Sequence, residues 1–299
     1  MQEKSSPPLR DASTVILVRE NRGQLETYLL RRSRKSGFMG GLYVFPGGVV
    51  DDQDRDPAFW KSRIDMALPE VANRFCNAGL NLENAVGFSV AAIRETLEEA
   101  GVLLASSKGK TRTDFQKMAN LRLEKGLSDD WFKKSMAEQD WPLLFSSLGC
   151  WSHWITPERM KKRFDTRFFL VSMPGDQACV PDNLETTQGI WISPETALEK
   201  NLTSEVPLSP PTVVTLTDLS KFDTLEELKN ITKDKNWGDT IAPVIYQTDQ
   251  GPVILEPWDP QFGSRESVEF KGLEDKVLPP GGKFSRLWCD KGIWKPVDL

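Results

Sequence analysis

The chain has 299 residues, of which 39% are hydrophobic and 27% are charged. This composition is ordinary for a globular protein, so it excludes extensive disorder and allows a large core. The formal net charge of -5 disfavours nucleic acid as a partner, because proteins that bind a duplex carry a basic face. The length favours one catalytic domain with insertions and an accessory segment.

The cysteine and histidine counts limit the chemistry further. Four cysteines lie apart without a CxxC pair, as is typical of a reducing compartment. The single histidine, His153, is too few for most histidine-based zinc sites and disfavours a Ser-His-Asp triad. The polar N-terminus lacks a signal-peptide core, and no apolar run approaches the roughly 20 residues that span a bilayer. We therefore expect a cytoplasmic protein that does not enter membranes.

Strand and helix patterns alternate through most of the chain. Apolar runs predict strands at residues 14–18, 25–32, 43–45, 168–172 and 189–192. Amphipathic spacing predicts helices at residues 56–80, 88–104 and 113–148. Beyond residue 211 the pattern predicts a helix around 223–232 and short strands at 243–246 and 253–255, followed by a glycine- and proline-rich tail. Residues 220–299 therefore look like a β-rich accessory extension.

Three glutamates stand out in residues 94–102, which read Arg-Glu-Thr-Leu-Glu-Glu-Ala-Gly-Val. On a helix, Glu95, Glu98 and Glu99 are spaced i, i+3 and i+4 and emerge on one face. Like charges at these spacings destabilise an isolated helix by roughly 0.2–0.5 kcal/mol per pair. The trio also lies near the helix end at Gly101, where the helix dipole disfavours anions. Such a local conflict is expected at a functional site.

A divalent cation would resolve both conflicts. Hard ions such as Mg²⁺ prefer carboxylate oxygens and keep waters, one of which can become a nucleophile. A solvated acidic helix face is the alternative when the three glutamates are considered alone. The upstream stretch at residues 44–48, Val-Phe-Pro-Gly-Gly, favours the metal site, because glycines let the backbone approach a metal or phosphate closely. A carbonyl of Gly47 or Gly48 is then a further candidate ligand.

Together, the Pro-Gly-Gly turn and the Arg-Glu-x-x-Glu-Glu-x-Gly helix resemble the Nudix box, the metal-binding motif of the Nudix hydrolases. The family motif places its arginine fourteen positions after the glycine, whereas Gly48 and Arg94 are 46 positions apart. Thus 32 residues are inserted within the box. The usual first glutamate, which is the partner of the arginine, is therefore unassigned. The candidates for its role are Asp51, Asp54 and Glu83.

An interrupted box is similar to that of a Nudix branch typified by mammalian peroxisomal coenzyme A diphosphatases. The stretches that carry this resemblance are residues 29–33, 37–39, 44–49, 98–104, 151–157 and 163–170. The resemblance implies an α/β/α sandwich, dependence on Mg²⁺ or Mn²⁺, and hydrolysis of CoA or acyl-CoA. The products would be 3′,5′-ADP and 4′-phosphopantetheine, acylated when the substrate is acyl-CoA.

The resemblance also implies a domain organisation and roles for residues of the box. We expect a Nudix domain at residues 10–215, with an insertion at 55–85 and a helical segment at 113–148, and an accessory extension at 220–299. Within the box, the predicted metal ligands are Glu95, Glu98 and Glu99, with a carbonyl of Gly48. The predicted catalytic residues of the helix are Glu95, Glu98 and Arg94, of which the arginine orients the helix electrostatically.

Residues outside the box are candidates through their position and charge. Arg31, Arg32 and Arg34 are predicted to bind substrate phosphates, since a guanidinium forks onto phosphate oxygens; solvated strand-end charges are the alternative. Many Nudix enzymes place a further carboxylate in a late loop. The candidates here are Asp182 and Glu185, of which Glu185 is the predicted catalytic residue.

Two alternatives to the CoA interpretation remain open. The Nudix box fixes the type of bond that is cleaved and not the leaving groups, so NADH, ADP-ribose and capped RNA ends are alternative substrates. A non-catalytic ligand-binding module with the same fold is a second alternative, which the intact glutamate trio disfavours. The predicted partner is thus a small nucleotide-type substrate, and the sequence indicates no oligomeric state.

Overall fold

The structure is a computed structural model that describes residues 7–77, 79–139, 141–263 and 270–298. The strands are β1 (Leu9–Asn21), β2 (Gln24–Arg32), β3 (Tyr43–Val44), β4 (Gly47–Val49), β5 (Gly149–Ile155), β6 (Arg163–Ser172), β7 (Thr186–Ile192), β8 (Thr240–Ile241), β9 (Val244–Tyr246), β10 (Val253–Leu255), β11 (Arg286–Asp290) and β12 (Ile293–Val297). The helices are α1 (Pro57–Trp60), α2 (Leu68–Phe75), α3 (Leu82–Ala100), α4 (Arg112–Leu121), α5 (Trp131–Glu138), α6 (Pro194–Leu202), α7 (Pro210–Leu219) and α8 (Leu225–Lys233).

The central strand of the larger sheet is β1. It pairs in parallel with β6 and antiparallel with β2 and β4, and the sheet continues from β6 through β5 to β8. Residues 15–18 are fully buried because both faces of β1 are covered. Val15 and Leu17 pack into the core that contains α3, whereas Ile16 and Val18 pack into the core that contains α6 and α7. These two layers confirm the predicted α/β/α sandwich.

The segment inserted in the box is helical, as predicted. The side chain of Asp56 caps α1 by accepting the Phe59 N–H, and α2 lies against α3. The long helix α3 begins at Leu82 rather than at the predicted residue 88, because Asn81 caps it by accepting the N–H of Asn84. It ends where Gly101 adopts a left-handed conformation with φ of 71°.

The β-rich C-terminal extension is also confirmed. Strands β9 to β12 form an antiparallel sheet in the order β12-β11-β10-β9, with a small core of its own. The chain that leads to this sheet joins the sandwich, because β8 pairs with β5 and Trp237 is buried against Phe75 and Phe169. Within the described ranges, no helix is long and apolar enough to cross a membrane.

Candidate active site

The acidic face of α3 lies against the glycine turn, although 46 positions separate Gly48 from Arg94. A Cβ atom at Gly48 would fall 2.5 Å from the carboxylate carbon of Glu95. The Gly47 N–H donates a 2.9 Å hydrogen bond to Glu99 Oε2. A larger residue at position 48 would have to displace this carboxylate, whereas glycine lets it lie against the backbone. The predicted meeting of the two halves of the box is therefore confirmed.

Arg94 lies at the centre of the site, among three carboxylates, and is only 4% exposed. Its Nη1 donates hydrogen bonds of 2.8 Å to both Glu95 Oε1 and Glu98 Oε2. On its other side, Nε and Nη2 donate to the two oxygens of Asp54, at 3.2 and 2.9 Å. Burial alone would lower the pKa of Arg94, but the surrounding carboxylates, Glu95 foremost, raise it above its ordinary value. The guanidinium therefore stays charged and fixes the carboxylates around it.

Asp54 takes the place of the missing first glutamate of the box. It follows Gly48 at the spacing of the uninterrupted motif and is 1% exposed. Both of its carboxylate oxygens accept hydrogen bonds from Arg94. The 3₁₀ turn that carries Asp54 is held by the Asp51 N–H, which donates to its carboxylate. Asp51 itself is half exposed and lies 3.5 Å from Arg94, while Glu83 is exposed in the first turn of α3. The insertion thus follows the substitute acid and leaves the geometry of the motif intact.

The carboxylates of α3 lie in a poorly solvated environment. Burial raises the pKa of Glu95 to about 8 and also raises the pKa values of Glu98 and Glu99. Buried negative charge is costly unless it is compensated, and here one guanidinium, that of Arg94, faces Asp54 as well as Glu95 and Glu98. A divalent cation would supply the missing positive charge, so this set of hard oxygen donors fits Mg²⁺ or Mn²⁺.

The three glutamates have separate partners in this structure. Glu95 and Glu98 accept hydrogen bonds from Arg94, whereas Glu99 accepts one from the Gly47 N–H. Across the described ranges, no three acidic, histidine or cysteine side chains converge in the geometry of a metal site. The predicted ligand role of Glu95, Glu98, Glu99 and Gly48 therefore remains a prediction, supported by their proximity and by the charge that they leave uncompensated.

Two residues outside the box hold Glu98, and the sequence pattern predicted neither role. The indole N–H of Trp131, the first residue of α5, donates a 2.9 Å hydrogen bond to Glu98 Oε1. Arg122 donates to the backbone carbonyl of Glu98 at 3.1 Å and to that of Val180 at 2.5 Å. In the sequence, Trp131 is one of several aromatic residues that predict a packing face. No local signal distinguishes it, because its contact with Glu98 joins positions far apart in the chain.

A cleft of about 1530 Å³ contains this acidic face and extends well beyond it. Of the three candidate phosphate-binding arginines, Arg32 lines the cleft, whereas Arg31 and Arg34 lie outside its lining. Arg31 instead donates to the carbonyl of Gly41 and stacks over the ring of Tyr43. The three arginines are close together in the sequence, but in the structure only Arg32 of the three lines the cleft.

The two acids of the late loop have different positions. Asp182 accepts hydrogen bonds from the backbone N–H groups of Leu184, Glu185 and Thr186, so it organises the loop. Glu185 is exposed and lines the cleft. The pKa of Glu99 is raised mainly by burial and next by the charge of Glu95. The charge of Glu185 also raises the pKa of Glu99, whereas the charge of Arg32 lowers it. Glu185 and Arg32 therefore both lie within electrostatic reach of the acidic face.

His153 lies away from this chemistry. Its Nε2 is 2.8 Å from Asp165 and its Nδ1 is 2.9 Å from the Thr240 hydroxyl, so the ring joins β5, β6 and β8. This is the packed position that a lone histidine favours, and His153 does not line the cleft.

Nudix hydrolases are the class of protein that combines this sandwich with this box, and they generally use divalent metals. A solved structure supports the same fold: the NUDIX hydrolase from Alicyclobacillus acidocaldarius superposes with a TM-score of 0.59. That protein is 22% identical in sequence, and the superposition covers 76% of this chain and 98% of the other.

The particular family follows from the sequence. The family model described as NUDT19 Nudix domain matches residues 9–219, so the chain belongs to this family. Among similar proteins, the acyl-coenzyme A diphosphatase NUDT19 of Homo sapiens is 30% identical, over 87% of this chain and 79% of its own length. The protein of the same name from Xenopus laevis is 28% identical, over 89% of this chain and 81% of its own length. The chain is therefore an enzyme of the Nudix diphosphatase class.

Proposed function

We propose that this enzyme hydrolyses the diphosphate of CoA and acyl-CoA with Mg²⁺ or Mn²⁺. The observation that carries the proposal is one large cleft, whose lining joins the acidic face of α3 and Arg32 to a set of apolar residues. Such a space suits a long substrate that is anionic at one end and apolar at the other. The names of the similar human and frog proteins support the same substrate class.

The roles of the residues follow from their positions. Glu95, Glu98 and Glu99 would hold the metal, together with the carbonyl of Gly48. When bound, the metal lowers the pKa of a water and offsets the charge of the diphosphate. Arg94 keeps Glu95 and Glu98 on the cleft side of α3 through its two 2.8 Å hydrogen bonds. Arg94 itself is held by Asp54, so Asp54 is joined through it to Glu95 and Glu98.

Two residues of the cleft act on the substrate in this proposal. Arg32 binds phosphate oxygens, because its guanidinium lines the cleft and lies near the acidic face. Glu185 takes a proton from the attacking water. The water oxygen forms a bond to one phosphorus while the bond from that phosphorus to the bridging oxygen breaks. The two products, 3′,5′-ADP and 4′-phosphopantetheine, carry one phosphate each on the cleaved ends, and the proton of the water is released through Glu185.

The test compares kcat/KM for CoA, acetyl-CoA, dephospho-CoA, NADH, ADP-ribose and capped RNA, with products identified by mass. We expect the CoA species to be cleaved fastest and the products to be the two named monophosphates. Glu98→Gln should lower kcat by at least about two orders of magnitude, since it removes a charged metal ligand. Glu83→Gln is the matched control, because Glu83 is exposed in the first turn of the same helix. Faster cleavage of NADH or ADP-ribose than of every CoA species would contradict the proposal.

A further inference from the structure

The far end of the cleft is apolar and is formed by two parts of the chain. Trp154 of β5 and Phe168 of β6 line it on the face of the larger sheet that packs against α6 and α7, and they are 5% and 6% exposed. The C-terminal sheet adds Ile245, Ile254 and Trp294 to the same apolar wall, in one core cluster with Trp154 and Phe168. Ile245 and Ile254 are direct cross-strand partners on β9 and β10, so they form one apolar surface. Nothing in the chemistry of the Nudix box requires this wall.

The distance between the acidic face and the apolar end follows from the strand order. Gly48 on β4 pairs with β1, β1 pairs with β6, and β6 pairs with β5, which carries Trp154. Three strand spacings therefore separate the glycine turn from Trp154, which is about 14 Å across the sheet.

The pantetheine arm of CoA matches this distance. A chain of roughly thirteen bonds joins its phosphorus to its sulfur, and at the rise per bond of an extended backbone it spans about 15 Å. A CoA whose diphosphate lies at Glu95–Glu99 therefore places its sulfur near Trp154 and the C-terminal sheet. The cleft volume of about 1530 Å³ also exceeds the roughly 300–1,000 Å³ typical of small-molecule sites.

We propose that the apolar end, lined by Trp154, Phe168, Ile245, Ile254 and Trp294, is a binding site for the acyl chain of acyl-CoA. The inference rests on the proposed function and assigns a role to the C-terminal sheet, which forms part of the wall of this acyl site. The thioester sulfur lies at the entrance to the site, and the acyl chain extends along this wall. The enzyme then selects acylated CoA over free CoA.

The first experiment measures kcat/KM for CoA, acetyl-CoA, octanoyl-CoA and lauroyl-CoA with Mn²⁺. Burial of one methylene is worth about 0.8 kcal/mol, or roughly fourfold, so partial burial of an octanoyl chain gives a rise of at least about tenfold over acetyl-CoA. Equal kcat/KM values for all chain lengths would overturn the inference while leaving the proposed CoA hydrolysis intact.

Variants of β9 test the position of the site. Ile245→Trp fills the apolar end and should lower kcat/KM for lauroyl-CoA at least about tenfold, with little effect on CoA. Val244→Trp is the matched control, because Val244 is the preceding residue on the same strand, is 37% exposed, and lies outside the cleft lining. Circular dichroism checks folding; if Ile245→Trp does not fold, Ile245→Ala should reduce the preference for long chains several-fold. An equal loss for CoA and lauroyl-CoA would instead place the pantetheine arm at Ile245 and refute the acyl site.

Binding without hydrolysis separates this inference from the proposed function. In EDTA, the dissociation constants of CoA and lauroyl-CoA are measured on the full chain through tryptophan fluorescence, since Trp154 and Trp294 line the site. Lauroyl-CoA should bind at least about tenfold more tightly than CoA, and Ile245→Trp should abolish the difference. If lauroyl-CoA binds in this way but no CoA species is cleaved, the proposed function fails and the acyl site stands. Equal dissociation constants refute the acyl site.

Discussion

Glu98 is held from outside the Nudix box by Trp131. The 2.9 Å hydrogen bond from the indole occupies the Oε1 atom, while Arg94 binds Oε2, so both oxygens of this carboxylate are fixed. Hydrogen-bond partners of metal ligands orient them, and their loss typically costs about 10–100-fold in metal affinity or activity. In the proposed metal site, Trp131 is thus a positioning residue for Glu98.

Trp131→Phe tests this role, because it keeps an aromatic ring and removes the N–H. We expect Mn²⁺ affinity, measured by calorimetric titration, to fall about tenfold or more, with little change in the melting temperature. Trp258→Phe is the control, since Trp258 is 46% exposed and its indole donates to Phe284 in the C-terminal region. Unchanged Mn²⁺ affinity in Trp131→Phe would show that the hydrogen bond does not position Glu98.

The raised pKa values of the acidic face predict how metal binding depends on pH. In the folded chain without metal, burial raises the pKa of Glu95 from its ordinary value to about 8. Between the ordinary pKa of glutamate, about 4.3, and about 8, the folded state therefore binds more protons than the unfolded state. Its stability falls as the pH rises through this window. A metal competes with these protons, so its stabilising effect grows in the same direction.

We therefore expect Mn²⁺ to raise the melting temperature more at about pH 8 than at about pH 6. The measurement is the difference between melting curves with Mn²⁺ and with EDTA at each pH. Burial also raises the pKa of Glu256, in the C-terminal region, to about 8. Its contribution to the pH dependence of stability is the same in both curves and cancels in this difference. Glu95→Gln should flatten the pH dependence. A Mn²⁺ effect that is constant or larger at the lower pH would contradict the prediction.

The individual residues of the site differ in how well the sequence predicts them. Glu95, Glu98 and Glu99 follow from helical spacing alone, because one helix brings them to one face. Asp54 follows only as one of three candidates, since its contact with Arg94 crosses the insertion. Trp131 does not follow at all. Contacts within a helix are encoded locally, whereas contacts between distant segments depend on how those segments pack.

At the scale of elements, the contact between the glycine turn and α3 determines where Glu95 points. A Cβ at Gly48 would overlap the Glu95 carboxylate, and the carboxylate is the flexible end of its side chain. We expect Gly48→Ala to move Glu95 and to lower kcat about 100-fold, which is the cost of a small misplacement at a catalytic site. The melting temperature should change little. Gly175→Ala is the control, since a Cβ there meets nothing within 4 Å. Full activity in Gly48→Ala would show that this contact does not position Glu95.

The elements that the sequence pattern predicted are those whose composition agrees with their structure. The strand at residues 14–18 and the helix after residue 88 have the expected apolar runs and spacing, and both occur in the fold. Helix α7 was not predicted, because Pro210–Leu219 is rich in valine and threonine, which have low helix propensity. Burial of this segment in the core with α6 overrides that preference. The sequence pattern also predicts no strand at β5, which pairs with β6 on one side and with β8 on the other.

At the scale of the whole molecule, three distant segments meet in one core. Phe75 comes from the insertion, Phe169 from β6, and Trp237 from the chain beyond the region that the family model matches. The ring centroids of Trp237 and Phe169 are 4.9 Å apart, and the Trp237 indole donates to the Phe75 carbonyl at 3.2 Å. The boundary near residue 220 that the sequence predicted is therefore crossed by core contacts. We infer that the Nudix domain depends on residues that follow it.

Trp237→Ala tests that dependence. Trp237 is 2% exposed, so its removal leaves a cavity among Phe75 and Phe169 and should lower the free energy of unfolding by about 3–5 kcal/mol. Trp258→Ala removes the same side chain from an exposed position of the extension and should cost far less, because surface substitutions typically change stability by about 0.5 kcal/mol. Urea unfolding followed by circular dichroism measures both values. A large cavity in a shared core destabilises a protein by more than about 1 kcal/mol. A smaller loss in Trp237→Ala would therefore mean that the Nudix core does not depend on the C-terminal segment.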